Sequence, residues 1–162
     1  MRYGLIGEKL GHSFSKIIHE QLADYTYDLI PLTRDELDAF LREKQFSALN
    51  VTIPYKETVI PYLDEVDNRA QKIGAVNTVV NRDGRLIGHN TDGFGFFASL
   101  KNFNPKDTHI MILGAGGAAK SIVTQAVLDG AKKVSIYVRP QSLVKAKENF
   151  RTLLDQTDCY LE

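Results

Sequence analysis

The sequence predicts an α/β fold: an N-terminal α/β domain with a mostly parallel sheet over residues 1–104, then a shorter βαβ portion over 105–162. Three observations carry this. Strand-like and helix-like periods alternate through the first half. A polar, Pro-containing stretch at 103–108 separates the halves. Beyond it, an apolar run of strand length ends in GAGGAA before a further helical pattern.

Residues 2–7 (RYGLIG) form the first strand, and the Gly- and Ser-punctuated turn at 11–15 leads into a helix over 16–25 with Ile17, Ile18, Leu22 and Tyr25 on one stripe. Ser13 or Ser15 is expected to cap that helix. Two hydroxyls two residues apart at a helix entrance also suit a carboxylate or another oxygen-rich ligand. Residues 26–32 form a second strand. Thr33 then caps a helix running to about residue 44, with Glu36 at the capping-box position and Leu37, Phe40 and Leu41 inward.

The stretch NVTIPYK, residues 50–56, gathers several functional side chains. Residues 48–53 alternate, so Asn50 and Thr52 share one face of a third strand. Pro54 ends the ladder and suits the first position of a helix, which would put Lys56 in a first turn. A cation there opposes the helix dipole, and this suits a proton-transfer group better than a passive charge. In parallel α/β sheets ligands gather beyond the carboxyl ends of the strands, where Ser13, Ser15, Thr52 and Lys56 would meet. Residues 57–74 look mostly helical, interrupted near Pro61 and closed by Gly74.

Residues 75–80 (AVNTVV) form a strand with Asn77 as its conspicuous polar residue, and Asp83–Gly84 turn it into an antiparallel hairpin. Asn90 or Thr91 caps the next helix, which carries Phe94, Phe97 and Leu100, with Asp92 in its first turn. The dipole alone favours an acid at that position, but Asp92 is also a candidate partner for Lys56.

After the polar stretch, residues 109–113 (HIMIL) read as a buried strand, followed by a helix from about 118 to 128. Gly114, Gly116 and Ala119 fit GxGxxA in the strand-to-helix context of a Rossmann-type dinucleotide site. Glycines there let the backbone turn tightly and approach a pyrophosphate at the helix N-terminus. Gly130 closes the helix and residues 133–138 form the next strand. At its end, where an NAD-binding protein places an acid for the ribose hydroxyls, stands Arg139, which suits a 2′-phosphate.

The chain has 162 residues, 43% hydrophobic and 25% charged, with twenty basic against twenty acidic side chains. The zero net charge gives no compositional case for nucleic acid or an anionic membrane, so a small-molecule partner is expected. Cys159 stands alone and no transmembrane or signal segment is seen, which predicts a disulfide-free protein of the cytoplasm. No metal site is expected. A homodimer stays open, because the sequence does not set the oligomeric state.

The stretches HSFS, NVTIPYK, GAVNT, HNTDGFG and ILGAGGAAKS, in this order and spacing, resemble the shikimate dehydrogenase family along the whole chain. The resemblance implies NADPH-dependent, reversible reduction of 3-dehydroshikimate to shikimate in aromatic amino-acid biosynthesis. It implies that 1–104 is the substrate-binding and catalytic domain and 105–162 the first part of an NADP-binding Rossmann domain. Ser13 and Ser15 would hold the substrate carboxylate, with Asn50, Thr52 and Asn77 as further substrate contacts. Lys56 and Asp92 would be the catalytic pair; Gly114, Ala115, Gly116, Gly117, Ala118 and Arg139 would hold NADP. Two departures are evident. VRP at 138–140 replaces the family's NRT, and the chain ends before the second Rossmann half and the C-terminal segment that supplies a glutamine to the substrate. The alternatives are a truncated or remnant chain that binds shikimate without catalysis, and a quinate/shikimate dehydrogenase using NAD.

Overall fold

The computed structural model describes residues 2–154, and Cys159 lies outside the described residues. The chain divides into two compact units, residues 1–90 and 91–162. Contacts thus part the chain between Asn90 and Thr91, while the polar stretch at 103–108 lies within the second unit.

In the first unit the elements are β1 (Tyr3–Gly7), α1 (Ser15–Leu22), β2 (Tyr27–Pro31), α2 (Arg34–Glu43) and β3 (Ala48–Val51), then β4 (Glu65–Val66), α3 (Asn68–Ile73), β5 (Thr78–Arg82) and β6 (Arg85–His89). They build a six-stranded sheet in the order β2-β1-β3-β5-β6-β4. The β1/β2, β1/β3 and β4/β6 pairs are parallel, whereas β3/β5 and β5/β6 are antiparallel. The register sets Leu5 beside Leu29 on one side and Asn50 on the other, and Asn50 opposite Thr78.

Because side chains alternate across a strand, the sheet has two distinct faces. One carries Ile6, Ile30, Leu49, Val51 and Val79 into the main core, closed by Leu37 and Leu41 of α2. The other carries Leu5 and Tyr27 into a smaller cluster with Leu10. The capping box of α2 forms as expected: Thr33 Oγ1 accepts from the Glu36 N–H and the Glu36 carboxylate accepts from the Thr33 N–H. The β5–β6 turn uses Asp83 and Gly84, both at positive φ (53° and 85°), the conformation that a two-residue hairpin turn requires.

Three local expectations change. First, α1 has no buried residue, and Phe14, Ile17, Ile18 and Leu22 stand exposed; Tyr25 lies past the helix, its ring 4.8 Å from that of Tyr3. Ile17, Ile18 and Leu22 of the expected stripe are thus more than half exposed. Second, no α-helix follows Pro54. Residues 53–59 form turns containing the cis Ile53–Pro54 bond, succeeded by a 3-10 turn (Ile60–Tyr62) and β4. Tyr55 and Val59 are fully buried, and the Tyr55 hydroxyl donates to the Leu32 carbonyl at 2.6 Å, so tertiary anchoring overrides the local helical pattern. Third, the strand expected from residue 75 begins at Thr78.

The second unit contains α4 (Asp92–Ser99), β7 (His109–Leu113), α5 (Gly117–Leu128), β8 (Lys133–Tyr137) and α6 (Leu143–Leu154). Strands β7 and β8 pair in parallel, His109 to Lys133 through Leu113 to Tyr137, as a βαβ unit requires. Val134, Ile136, Val123, Ala126, Phe150 and Phe97 form its core. Gly93 permits α4 to approach α5, since a Cβ there would strike the Ser121 carbonyl oxygen and meet Gln125 Cβ at 2.7 Å. Strand β7 is covered on one side only: Ile110 and Ile112 pack inward, while Met111 and Leu113 are exposed. The expected fully buried strand is therefore half-covered among the described residues, because α5 packs against one face of the pair.

Candidate active site

The site begins in the loop that leaves β1. A Cβ on Gly7 would meet Thr52 Cγ2 at 2.6 Å and Leu10 Cδ2 at 2.8 Å, so glycine lets this loop lie close against the end of β3 without moving those side chains. The Ser13 N–H donates to the Leu10 carbonyl at 3.0 Å and closes the turn. Neither serine is the N-cap of α1; Phe14 occupies that position without a side-chain bond. Instead the Ser13 hydroxyl oxygen accepts from the Ser15 N–H at 3.2 Å, and the two hydroxyl oxygens stand 3.1 Å apart. Ser13, Ser15 and Thr52 line one cavity of about 580 Å³, together with Lys9 and His12. Three hydroxyls beside two basic side chains suit an oxygen-rich, anionic group. The sequence assigned Lys9 no role, and His12 none beyond its place in the HSFS stretch. The only signal for Lys9 was a charged residue in a glycine-flanked loop.

Strand β3 supplies the neighbouring groups. Thr52 extends the ladder by donating its N–H to the Ile6 carbonyl at 2.9 Å. Asn50 Oδ1 accepts from the Tyr27 hydroxyl at 2.7 Å, and Asn50 Nδ2 donates to Thr78 Oγ1 at 3.3 Å. Thr78 Oγ1 in turn donates to Asn77 Oδ1 at 3.0 Å, so the two asparagines singled out in the sequence belong to one polar network. Asn77 is buried, and its backbone is bonded on both sides: the carbonyl accepts from the Val51 N–H and the N–H donates to the His89 carbonyl. Burial with satisfied backbone groups makes it a fixed part of the sheet.

Lys56 lies in the turn after β3, partly buried, and its carbonyl accepts from the Val76 N–H at 2.7 Å. That bond ties the lysine to the segment leading to Asn77. With no helix beginning at Pro54, a helix dipole does not act on the amine, and this correction removes one argument for its special character.

The remaining candidates belong to the second unit. Asp92 lies in the first turn of α4 as expected and is partly buried, while Thr91 holds the N-cap position without a side-chain cap bond. The glycine loop follows β7 directly. Gly114 has φ 104°, open only to glycine without strain, and its N–H donates to the Tyr137 carbonyl at 2.8 Å. Gly116 is the N-cap of α5 and Gly117 its first residue. A Cβ on Gly114, Gly116 or Gly117 would meet nothing within 4 Å, so the space over these backbone groups is open. Ala115 is held from behind by Asn149 of α6, whose Nδ2 donates to its carbonyl at 3.2 Å, a support the sequence did not announce. Ala118 lies in the first turn of α5, and Arg139 is exposed just past β8. An open backbone cradle at a helix N-terminus with a guanidinium after the second strand fits a phosphorylated dinucleotide. Among the described residues no group of His, Cys, Asp or Glu side chains could hold a metal ion, and no helix is long and apolar enough to cross a membrane.

These features define a class: an α/β protein with a hydroxyl-lined small-molecule cavity in one unit and a dinucleotide-type glycine loop in the other. Residues 5–79 match the family model of the shikimate dehydrogenase substrate binding domain. A protein of Streptococcus thermophilus named shikimate dehydrogenase (NADP(+)) is 66% identical over 98% of this chain and 58% of its own length. The crystal structure of shikimate 5-dehydrogenase from Listeria monocytogenes, in complex with shikimate and NAD, is 35% identical and superposes with a TM-score of 0.89, covering 100% of this chain and 60% of that one. The Thermus thermophilus shikimate 5-dehydrogenase, in complex with NADP(H) and shikimate, is 34% identical with a TM-score of 0.80, over 93% of this chain and 61% of that one. The chain is thus similar to shikimate dehydrogenases over nearly its whole length, and it spans somewhat under two thirds of the length of these relatives.

Proposed function

We propose that this chain carries the substrate site and the first part of the cofactor site of an NADP-dependent shikimate dehydrogenase, an oxidoreductase acting on a CH–OH group that interconverts shikimate and 3-dehydroshikimate. The observation that carries the reading is the Ser13–Ser15 hydroxyl pair, 3.1 Å apart, in one cavity with Thr52. Two hydroxyls at that spacing can each donate to one oxygen of a carboxylate. In this reading Asn50, Thr52 and Asn77 orient the ring hydroxyls, and Lys56 gives a proton to the carbonyl oxygen during reduction and takes it back in the reverse direction. Asp92 is assigned to orient the reacting hydroxyl. Residues 1–104 would bind substrate and carry catalysis, and residues 105–162 would form the first part of the NADP domain. Backbone groups of Gly114, Ala115, Gly116, Gly117 and Ala118 would receive the pyrophosphate, and Arg139 the 2′-phosphate. NADPH, when bound, supplies the hydride. The relatives named for shikimate and NADP support this reading. It includes a cytoplasmic setting, and a homodimer is the assembly to test.

The experiment is steady-state kinetics, by nicotinamide absorbance, on this protein. Expected are reduction of NADP with shikimate in preference to NAD, a fall in kcat of at least about a hundredfold in Lys56→Ala, and mainly a raised KM for shikimate in Ser15→Ala. Shikimate binding without turnover, or a reversed pattern in the two variants, would contradict the assignment.

A further inference from the structure

The substrate reading leaves Tyr27 unused, although its hydroxyl reaches a residue of the proposed site. Tyr27 lies on β2 with 2% exposure, and its ring stacks on that of His19 at a centroid distance of 4.0 Å and an interplanar angle of 11°. A phenol has one hydrogen to donate, and here it goes to Asn50 Oδ1 at 2.7 Å. Burial, reinforced by the neighbouring Tyr25, pushes the phenol pKa up, so the group remains a neutral donor. From there the hydrogen bonds run one way: Asn50 Nδ2 to Thr78 Oγ1, then Thr78 Oγ1 to Asn77 Oδ1.

The two ends of an amide have nearly the same shape but opposite hydrogen-bonding character, so an unsupported asparagine can present either end to a ligand. A buried hydroxyl donor on one side and a hydroxyl acceptor on the other remove that freedom. We infer that Tyr27 is a positioning residue of the shikimate site: it fixes the Asn50 amide with its carbonyl turned away and its NH2 directed along the Thr78 side. The amide has a second hydrogen beyond the one given to Thr78, and that hydrogen suits an oxygen acceptor on the ligand. Tyr27 thus acts on specificity without touching the ligand. This inference rests on the proposed shikimate site and adds the group that orients one of its contacts.

The test replaces Tyr27 by Phe, which keeps the ring and its stacking and removes only the hydroxyl. Two readouts are taken: calorimetric titration with shikimate, and the side-chain amide resonances of Asn50 without ligand. Expected are binding weakened by about five- to tenfold, a shifted Asn50 amide signal, and no further loss when Tyr27→Phe is added to Asn50→Ala. Thr78→Val, which removes the next link, should also move the Asn50 signal, and it serves if Tyr27→Phe fails to fold. Full affinity in Tyr27→Phe, an equal loss in the Asn50→Ala background, or an unmoved Asn50 signal would overturn the inference. Absence of shikimate binding by the unmutated protein would instead refute the substrate reading, and the Asn50 resonance would still decide the role of Tyr27.

Discussion

At the level of single residues, Asp64 shows how one carboxylate joins segments far apart in sequence. Its Oδ2 accepts from the Leu86 N–H at 2.7 Å and from the Lys44 ammonium at 3.2 Å, and Lys44 also donates to the Gly84 carbonyl at 2.6 Å. The Leu86 N–H, and after it the Lys44 ammonium, hold the carboxyl below its ordinary value of 3.8. A carboxyl lowered in the folded state stabilises above its unfolded value, and that contribution is lost as pH falls through the folded one. Urea midpoints measured across pH should therefore fall below about pH 4, and fall less steeply in Asp64→Asn. An unchanged slope would remove Asp64 from the acid limb. The residues that the sequence revealed best stand where local pattern and position agree, such as Thr33, Glu36, Asn50 and Thr52. Asn149 and Tyr27 were illegible for a common reason: each matters through a partner distant in sequence, which no local period records.

Among the elements, α2, the β5–β6 hairpin and the β7–α5–β8 unit follow from capping, turn and glycine chemistry that neighbouring residues supply. The segment after Pro54 does not, because burial of Tyr55 and Val59 decides its path against the helical period. The stripe on α1 was visible as a pattern, yet the pattern could not say what would cover it. For the glycine loop the requirement is conformational. Gly114→Ala should weaken NADP binding by about tenfold while leaving shikimate affinity unchanged, as measured by calorimetry with each ligand. Unchanged NADP affinity would show that the φ of 104° at this position does not serve the cofactor.

For the whole molecule, the α/β alternation and the change of character toward a dinucleotide-type second part were legible from the sequence. The place where contacts divide the chain was not. Gly93 lets α4 pack on α5, so α4 belongs to the second unit. The composition is electrically neutral, and the basic side chains at the proposed sites are local: Lys9 and His12 at the cavity, Arg139 after β8. The central claim is that the Ser13–Ser15 pair receives the carboxylate of shikimate. It is tested most directly by a crystal structure of this protein, grown with shikimate. The account predicts the carboxylate within hydrogen-bond reach of both serine hydroxyls and the ring extending toward Asn50 and Thr52. A carboxylate bound away from both serines would contradict it.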